Sequence, residues 1–323
     1  MFNALTGLSQ RTGNFPGVTV EKKVGVLDLG HLRLDLIDLP GTYSLAANSP
    51  DEIVATDVLL GQQEGTTPPN LVIVVADASN LERNLYLTTQ ILECSLPVIL
   101  VLNMHDLAVA DGLEINANLL SLELDCQVVP VVANKGEGIN DLQKTIEKCL
   151  EQAPSTFHLQ LGELVESSIE KLLDFFDDHS TQFTQQIHRF EVLRLLIDEG
   201  GIVEQRLLEI FGESLDSRLN QIRQEISEGG TDLLLIEPET RYQKIGEIIQ
   251  NCVIRKQEKL DFTVSDRVDR FLTHPIGGTM AFLVLMAVVF QAIYKWAAPL
   301  LSLIHISEPT RPRLISYAVF CLK

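Results

Sequence analysis

Leu34-Asp35-Leu36-Ile37-Asp38-Leu39-Pro40-Gly41 is the stretch whose reading decides the fold. An alternating, then continuous, apolar run ends in an acidic residue followed by Pro and Gly. That is the pattern of a buried strand delivering a carboxylate to a loop at its C-terminal edge. In open α/β sheets ligands sit at that edge. A carboxylate at Asp38 is suited to hold Mg²⁺ through water, and the Gly41 backbone N–H to approach a terminal phosphate and sense its loss.

Upstream, Met1 to Gly7 reads as a helix interior ending at Gly7, and Gly13 to Glu21 as a Gly/Pro loop entering a strand. Val24 to Leu29 and Leu32 to Ile37 form a hairpin around Gly30-His31. Thr19 stands where loop meets hairpin; it reads either as a β-branched strand residue or, beside a nucleotide, as a hydroxyl for Mg²⁺ and an N–H for a γ-phosphate. Downstream, Pro50 to Leu60 reads as a helix. Leu71 to Asp77 and Val98 to Asn103 are continuous apolar runs ending in polar residues, the look of parallel strands covered on both faces. Leu81 to Cys94 supplies the crossover helix between them, Val128 to Val132 a further strand and Ile139 to Leu150 a further helix. This alternation predicts a doubly wound α/β domain over residues 1–154.

Asn103-Met104-His105-Asp106 closes the second buried run. A carboxylate at Asp106 can accept two hydrogen bonds, from guanine's N1–H and 2-amino group. Adenine lacks both donors there and would leave Asp106 unpaired, at about 1 to 3 kcal/mol. Asn103 would brace neighbouring loops, and Met104 lies between the two. Pro130 to Gly138 ends a further strand at the same edge, where the backbone N–H groups of Ala133 and Asn134 would face the guanine O6 and the Lys135 stem would cover the base.

Composition narrows the partners. With 25 basic against 44 acidic residues the net charge is −19, which repels polyphosphate backbones and argues against nucleic acid. The cysteines, Cys94, Cys126, Cys149, Cys252 and Cys321, form no paired ligand motif, so a reducing compartment fits. The N-terminus carries no secretory signal pattern.

Thr19, Asp38 to Gly41, Asn103 to Asp106 and Ala133 to Lys135 follow in the order of a P-loop GTPase, which the chain resembles. More narrowly, the blocks Phe2 to Gly7, Gly13 to Glu21, Asp38 to Leu45 and Asp77 to Leu87 resemble the bacterial ferrous-iron transport protein B family. The resemblance covers roughly residues 1 to 300. It implies GTP or GDP with Mg²⁺ as ligands, a helical spacer acting on nucleotide release, and a polytopic inner-membrane domain carrying Fe²⁺, with the first two domains in the cytoplasm. In the intact protein Thr19 and Asp38 would address Mg²⁺, Gly41 the γ-phosphate, and Asn103, Met104, Asp106, Ala133, Asn134 and Lys135 the base. Whether the intact protein is a homo-oligomer is left open.

Two departures from the family pattern stand out. The phosphate-binding loop ending Gly-Lys-Ser/Thr, with the strand that feeds it, is expected just before Met1 and is missing. Charge-assisted bonds are worth about 1.5 to 3 kcal/mol each, so losing three removes roughly 5 to 9 kcal/mol, and this chain should bind GTP poorly. Ala133-Asn134 replaces the family's Ser-Ala/Thr pair, with little effect expected because main-chain groups read the base there. A rival reading is a membrane-tethered regulatory GTPase that acts through a protein partner and transports nothing.

Residues 155–262 change character. Helical spacing in Leu161 to Phe176, Ile187 to Ile197, Val203 to Ile226 and Arg241 to Val253, broken at Gly200-Gly201 and Gly229-Gly230, predicts an all-helical module. In residues 263–300, Ile276 to Tyr294 is an apolar run long enough, at about 28 Å, to serve as one transmembrane helix in a lipid bilayer. Further spans would have to come from sequence outside this chain. Residues 301–323 resemble translated sequencing-library adapter and are expected to carry no function.

Overall fold

The computed structural model describes residues 1–7, 10–15, 20–46, 49–63, 65–179, 187–255 and 264–293. Thr19, Tyr294 and the tail 301–323 lie outside them.

Helix α1 (Phe2–Thr6) stops at Gly7, whose φ of +61° closes the turn without a Cβ. Strands β1 (Gln10–Asn14), β2 (Glu21–Asp28) and β3 (Arg33–Asp38) form an antiparallel sheet in the order β1-β2-β3. The expected hairpin is present, with Val24 opposite Ile37 and Leu27 opposite Leu34. The Asp28 carboxylate accepts the Gly30 N–H at 2.9 Å and fixes the turn. The expectation of a buried strand at Leu34 to Asp38 is corrected: Arg33, Asp35 and Asp38 are exposed, whereas Leu34 and Leu36 are half-buried against the core. β3 is an edge strand with one covered face, and the Leu-Asp-Leu alternation is the mark of that state. β1 was not expected, because Gln-Arg-Thr-Gly-Asn carries no apolar period and becomes a strand only through pairing with β2.

Helix α2 (Pro50–Leu59) starts on a capping box between Ser49 and Glu52 with Pro at the first position. The next elements are β4 (Val72–Asp77), a 3-10 turn at Ala78–Asn80, α3 (Leu81–Leu92), β5 (Val98–Asn103), α4 (His105–Ala110), β6 (Leu113–Ile115), α5 (Ala117–Leu124), β7 (Gln127–Pro130) and α6 (Ile139–Cys149). β4, β5 and β7 form a parallel sheet in that order. Leu100 and Leu102 of β5 enter the core beneath α3, and Ile99 and Val101 enter the core shared with α6. Two covered faces are why that run reads as continuously apolar. The second of these cores also takes in Leu34 and Leu36, so it joins the antiparallel and parallel sheets.

The remaining helices of this unit are α7 (Glu163–Asp178), α8 (Arg189–Ile197), α9 (Ile202–Glu228) and α10 (Leu233–Cys252), followed by β8 (Val253–Arg255), which pairs with β6. α7, α8 and α9 build their own core around Leu172, Leu195 and Leu215. α9 is broken at Gly212, where φ +59° and ψ −143° admit only glycine. α10 begins earlier than the expected Arg241, because it runs through Pro238. Its Ile245, Ile248 and Cys252 enter the core of α3 and α5, and residues 1–256 pack as one compact unit.

The second unit, residues 257–323, contains α11 (Val264–Thr273) and α12 (Pro275–Gln291). His274 caps α12, its Nδ1 accepting the Ile276 N–H at 3.2 Å. Gly277 and Gly278 leave no room for a Cβ against the carbonyls of Phe271 and Leu272, which permits the tight turn between the helices. Of the span expected over 276–294, α12 covers Pro275–Gln291, 17 residues or about 25 Å, and Tyr294 lies outside the described residues; among these no helix is long and apolar enough to cross a membrane.

Candidate functional site

The parallel strands set the site. Asp77 and Asn103 are register partners at the C-terminal ends of β4 and β5, and Leu102 pairs with Pro130 of β7. Asp77 acts locally, its carboxylate accepting the Ser79 N–H at 2.9 Å and the Ser79 hydroxyl at 2.7 Å. After Asn103, Met104 adopts a left-handed conformation (φ +57°) and starts α4. That reversal puts Asp106 in the first turn of α4 while leaving Met104 exposed.

Beyond β7 the chain folds into a tight turn, in which the Val132 N–H donates to the Glu137 carbonyl and the Lys135 N–H to the Val132 carbonyl, both at 3.0 Å. Gly138 closes it at φ +79°, where a Cβ would run into Pro130 and Val131. Asn103 Oδ1 accepts the Ala133 N–H at 3.2 Å, so the expected bracing by Asn103 is present. The Ala133 N–H, expected to face a base, is thereby engaged. Lys135 Nζ donates to Asp106 Oδ2 at 2.7 Å, which joins turn and helix directly. That hydrogen bond, aided by the opposite charge, lowers the Asp106 carboxyl below its ordinary range and raises the Lys135 ammonium. Asn103, Asp106, Ala133 and Lys135 thus form one cluster, with Asn134 exposed on the same turn.

Asp38 ends β3 on the other sheet, and Gly41 lies in the loop that follows. Asp38, opposite Lys23 in register, is exposed and its carboxylate has no partner among the described residues. Space around Gly41 is open, with nothing within 4 Å of where a Cβ would sit. The loop that follows is anchored by Leu45, which is buried in the α3 core. A cavity of about 250 Å³ lies elsewhere, among Leu59, Gln62, Cys94, Leu96, His188 and Glu191, and includes none of these site residues.

A polar network beside the loop was missed in the sequence. Gln90, fully buried on α3, accepts the Leu45 N–H at 2.8 Å and donates to Glu237 of α10 at 3.1 Å. Glu237 pairs with Arg194 of α8 and with Arg241, and Arg241 also pairs with Glu93 at 2.6 Å. Burial works against charge at Glu237, but the two guanidiniums prevail and hold its carboxyl below the usual range. The Glu237 and Arg241 spacing of four was the available signal. Nothing in the chain order pointed to Gln90 as a partner.

A parallel sheet with its polar residues gathered at the C-terminal edge, an exposed Asp and open Gly at the end of β3, and an Asn-x-x-Asp turn braced against a second loop define a GTPase-like α/β domain. The family model described as ferrous iron transport protein B matches residues 1–146. The cytosolic domain of the T. maritima FeoB iron transporter, solved in a GMPPNP form, superposes with a TM-score of 0.65 at 32% identity, over 78% of this chain and 93% of that one. The cytosolic domain of L. pneumophila FeoB does so at 36% identity, with the same TM-score and coverage. The Fe(2+) transporter FeoB of Staphylococcus aureus (strain COL) is 33% identical over 306 residues, 94% of this chain and 44% of that protein. That of Leptospira biflexa is 32% identical over 311 residues, 92% and 42% respectively. The chain belongs to the ferrous iron transport protein B family. It spans less than half the length of these curated relatives.

Proposed function

We propose that this chain supplies the guanine-nucleotide-binding switch of a ferrous-iron uptake transporter, residues 1–154 being the nucleotide domain and 155–262 a helical spacer acting on nucleotide release. The observation that carries this reading is the cluster of Asn103, Asp106 and Lys135 around the turn 132–137. Asp106 is an ionised acceptor at the rim, suited to guanine's N1–H and 2-amino group. On binding, Lys135 would release the carboxylate and lay its stem over the base. Asn103 keeps the turn in place, and the Asn134 N–H faces O6.

Asp38 and Thr19 are assigned to Mg²⁺, and Gly41 to the γ-phosphate. An exposed carboxylate with no partner among the described residues and an open glycine fit oxygen ligation of a hard cation and approach of a phosphate. The metal would supply charge neutralisation on the phosphates when bound. Loss of the γ-phosphate would free the Gly41 N–H and release the loop after it, the change passed to the spacer. We assign the work to the bacterial inner membrane, with residues 1–262 on the cytoplasmic side. Support comes from the solved relatives, which are cytosolic domains of iron transporters, and from α12, whose Ile276, Phe282 and Leu285 are all more than half exposed.

The 323 residues contain no Gly-Lys-Ser/Thr run. We therefore expect weak GTP binding and no turnover by this chain. Titration with a fluorescent guanine nucleotide, before and after adding a family phosphate-binding loop ahead of Met1, tests this. Affinity should rise on the order of 10³- to 10⁶-fold with the loop. Equal affinity for both overturns the weak-binding reading, and failure of the extended chain to prefer GDP over ADP overturns the guanine reading.

A further inference from the structure

Gln90 sits with no exposed surface between the loop after Gly41 and helix α10. Its Oε1 accepts the Leu45 N–H at 2.8 Å and the Ser44 hydroxyl at 3.2 Å. Its Nε2 donates to Glu237 Oε1 at 3.1 Å. The amide can sit only one way round, because a backbone N–H needs an acceptor and a carboxylate needs a donor. Ser44 extends the chain of bonds, its Oγ accepting the Ala46 N–H at 3.1 Å and its carbonyl accepting the Thr42 hydroxyl at 2.8 Å. On the far side Glu237 is gripped by Arg194 and Arg241, both almost wholly buried, and Arg241 continues to Glu93.

We propose that Gln90 and Glu237 are positioning residues through which the helical module sets the conformation of the loop 42–46. The orientation of one buried amide transmits the state of Glu237 to the Leu45 N–H. If Glu237 turns away or loses its charge, Gln90 is free to rotate. Each rotation that turns its NH₂ toward the Leu45 N–H sets two donors against each other in a buried space and unseats the loop. Conversely, a shift of the loop removes the acceptor load on Oε1 and loosens Gln90 from α10. The link to nucleotide rests on the function proposed above, because this loop directly follows Asp38 and Gly41. The coupling itself does not.

Native-state amide exchange of the 323-residue chain tests it without nucleotide. Glu237→Gln replaces one acceptor oxygen by NH₂, which must be set against either Gln90 and Arg241 or Arg194 and so weakens the hold on Gln90, and Gln90→Leu removes the bridge at similar volume. Gln90→Glu keeps an acceptor for Leu45 but opposes Glu237. The reference is the Leu100 amide at the centre of β5, which reports global opening. Relative to Leu100, exchange at Leu45 and Ala46 should quicken about ten-fold or more in Glu237→Gln and in Gln90→Leu. Gln90→Glu should do the same from the α10 side, and it serves if Glu237→Gln does not fold. Loop exchange that rises only in Gln90→Leu would show a local bond and overturn the coupling, as would no change in any variant. Loss of guanine preference in the extended chain, with these exchange effects intact, would remove the nucleotide reading and leave the coupling standing.

Discussion

Asn103 Oδ1 accepts the backbone N–H of Ala133 across thirty positions of sequence, at 3.2 Å, and so ties the end of one parallel strand to the turn beyond the next. That single bond holds two loops of the candidate site at a fixed spacing. Asn103→Ala should cost about 1 to 2 kcal/mol in urea unfolding and speed amide exchange in the turn 132–137. Asn103→Asp keeps the acceptor and should retain the slow exchange.

Asp106→Asn should separate stability from recognition. The pair with Lys135 lies at the surface, so the thermal midpoint should move little. Base preference should shift from guanine toward xanthine, which presents a carbonyl where guanine has its 2-amino group and so suits the new NH₂. Competition binding in the loop-extended chain measures this.

Arg241 is wholly buried and bridges Glu93 and Glu237. Arg241→Met leaves two buried carboxylates short of a partner and should cost about 3 to 5 kcal/mol, seen as a lower urea midpoint. Lys171→Met, which breaks the surface pair with Glu225, is the control and should leave that midpoint near its original value.

Acid sensitivity follows from the same cluster. Glu237 is held below its usual 4.5 by Arg194 and Arg241, so its contribution is present above that value and lost as pH falls through the lowered one. Asp198, which also faces Arg194, is raised by burial and has the opposite sign: its contribution is present below its ordinary value and fades as pH rises through the raised one. Glu237→Gln should therefore flatten the acid limb of a stability profile, measured by urea unfolding from pH 7 down to about 3.

Gly138→Ala tests the backbone requirement of the turn. Its φ of +79° and the closeness of Pro130 and Val131 leave no place for a methyl group. The substitution should cost about 1 to 3 kcal/mol. Gly136→Ala shares the positive φ, +74°, but meets nothing within 4 Å, so its cost should be smaller.

The chain order was enough to place β5 and α3, because a strand covered on both faces must be apolar throughout and Leu81 to Leu92 carries a helical stripe beside it; it placed β4 too, but not its expected cover on both faces, since Val75 is exposed. It also placed the Asn103 to Asp106 turn and the Ala133 to Lys135 turn at the ends of neighbouring strands, since both follow apolar runs. The same reading overstated the burial of β3, missed β1, and started α10 late, at Arg241 instead of Leu233. Each miss has one cause: a neighbour far along the chain decides the state of those residues.

What the sequence determined alone was everything written in local periodicity: the alternation of strand and helix, the polar residues that end the strands, and the apolar length of α12. Only the tertiary structure decided which long-range partners meet, Gln90 with Glu237 and Lys135 with Asp106 above all. A buried polar side chain is stable only with a partner of the right donor or acceptor type. That partner can lie anywhere along the chain, so packing selects it and local pattern does not.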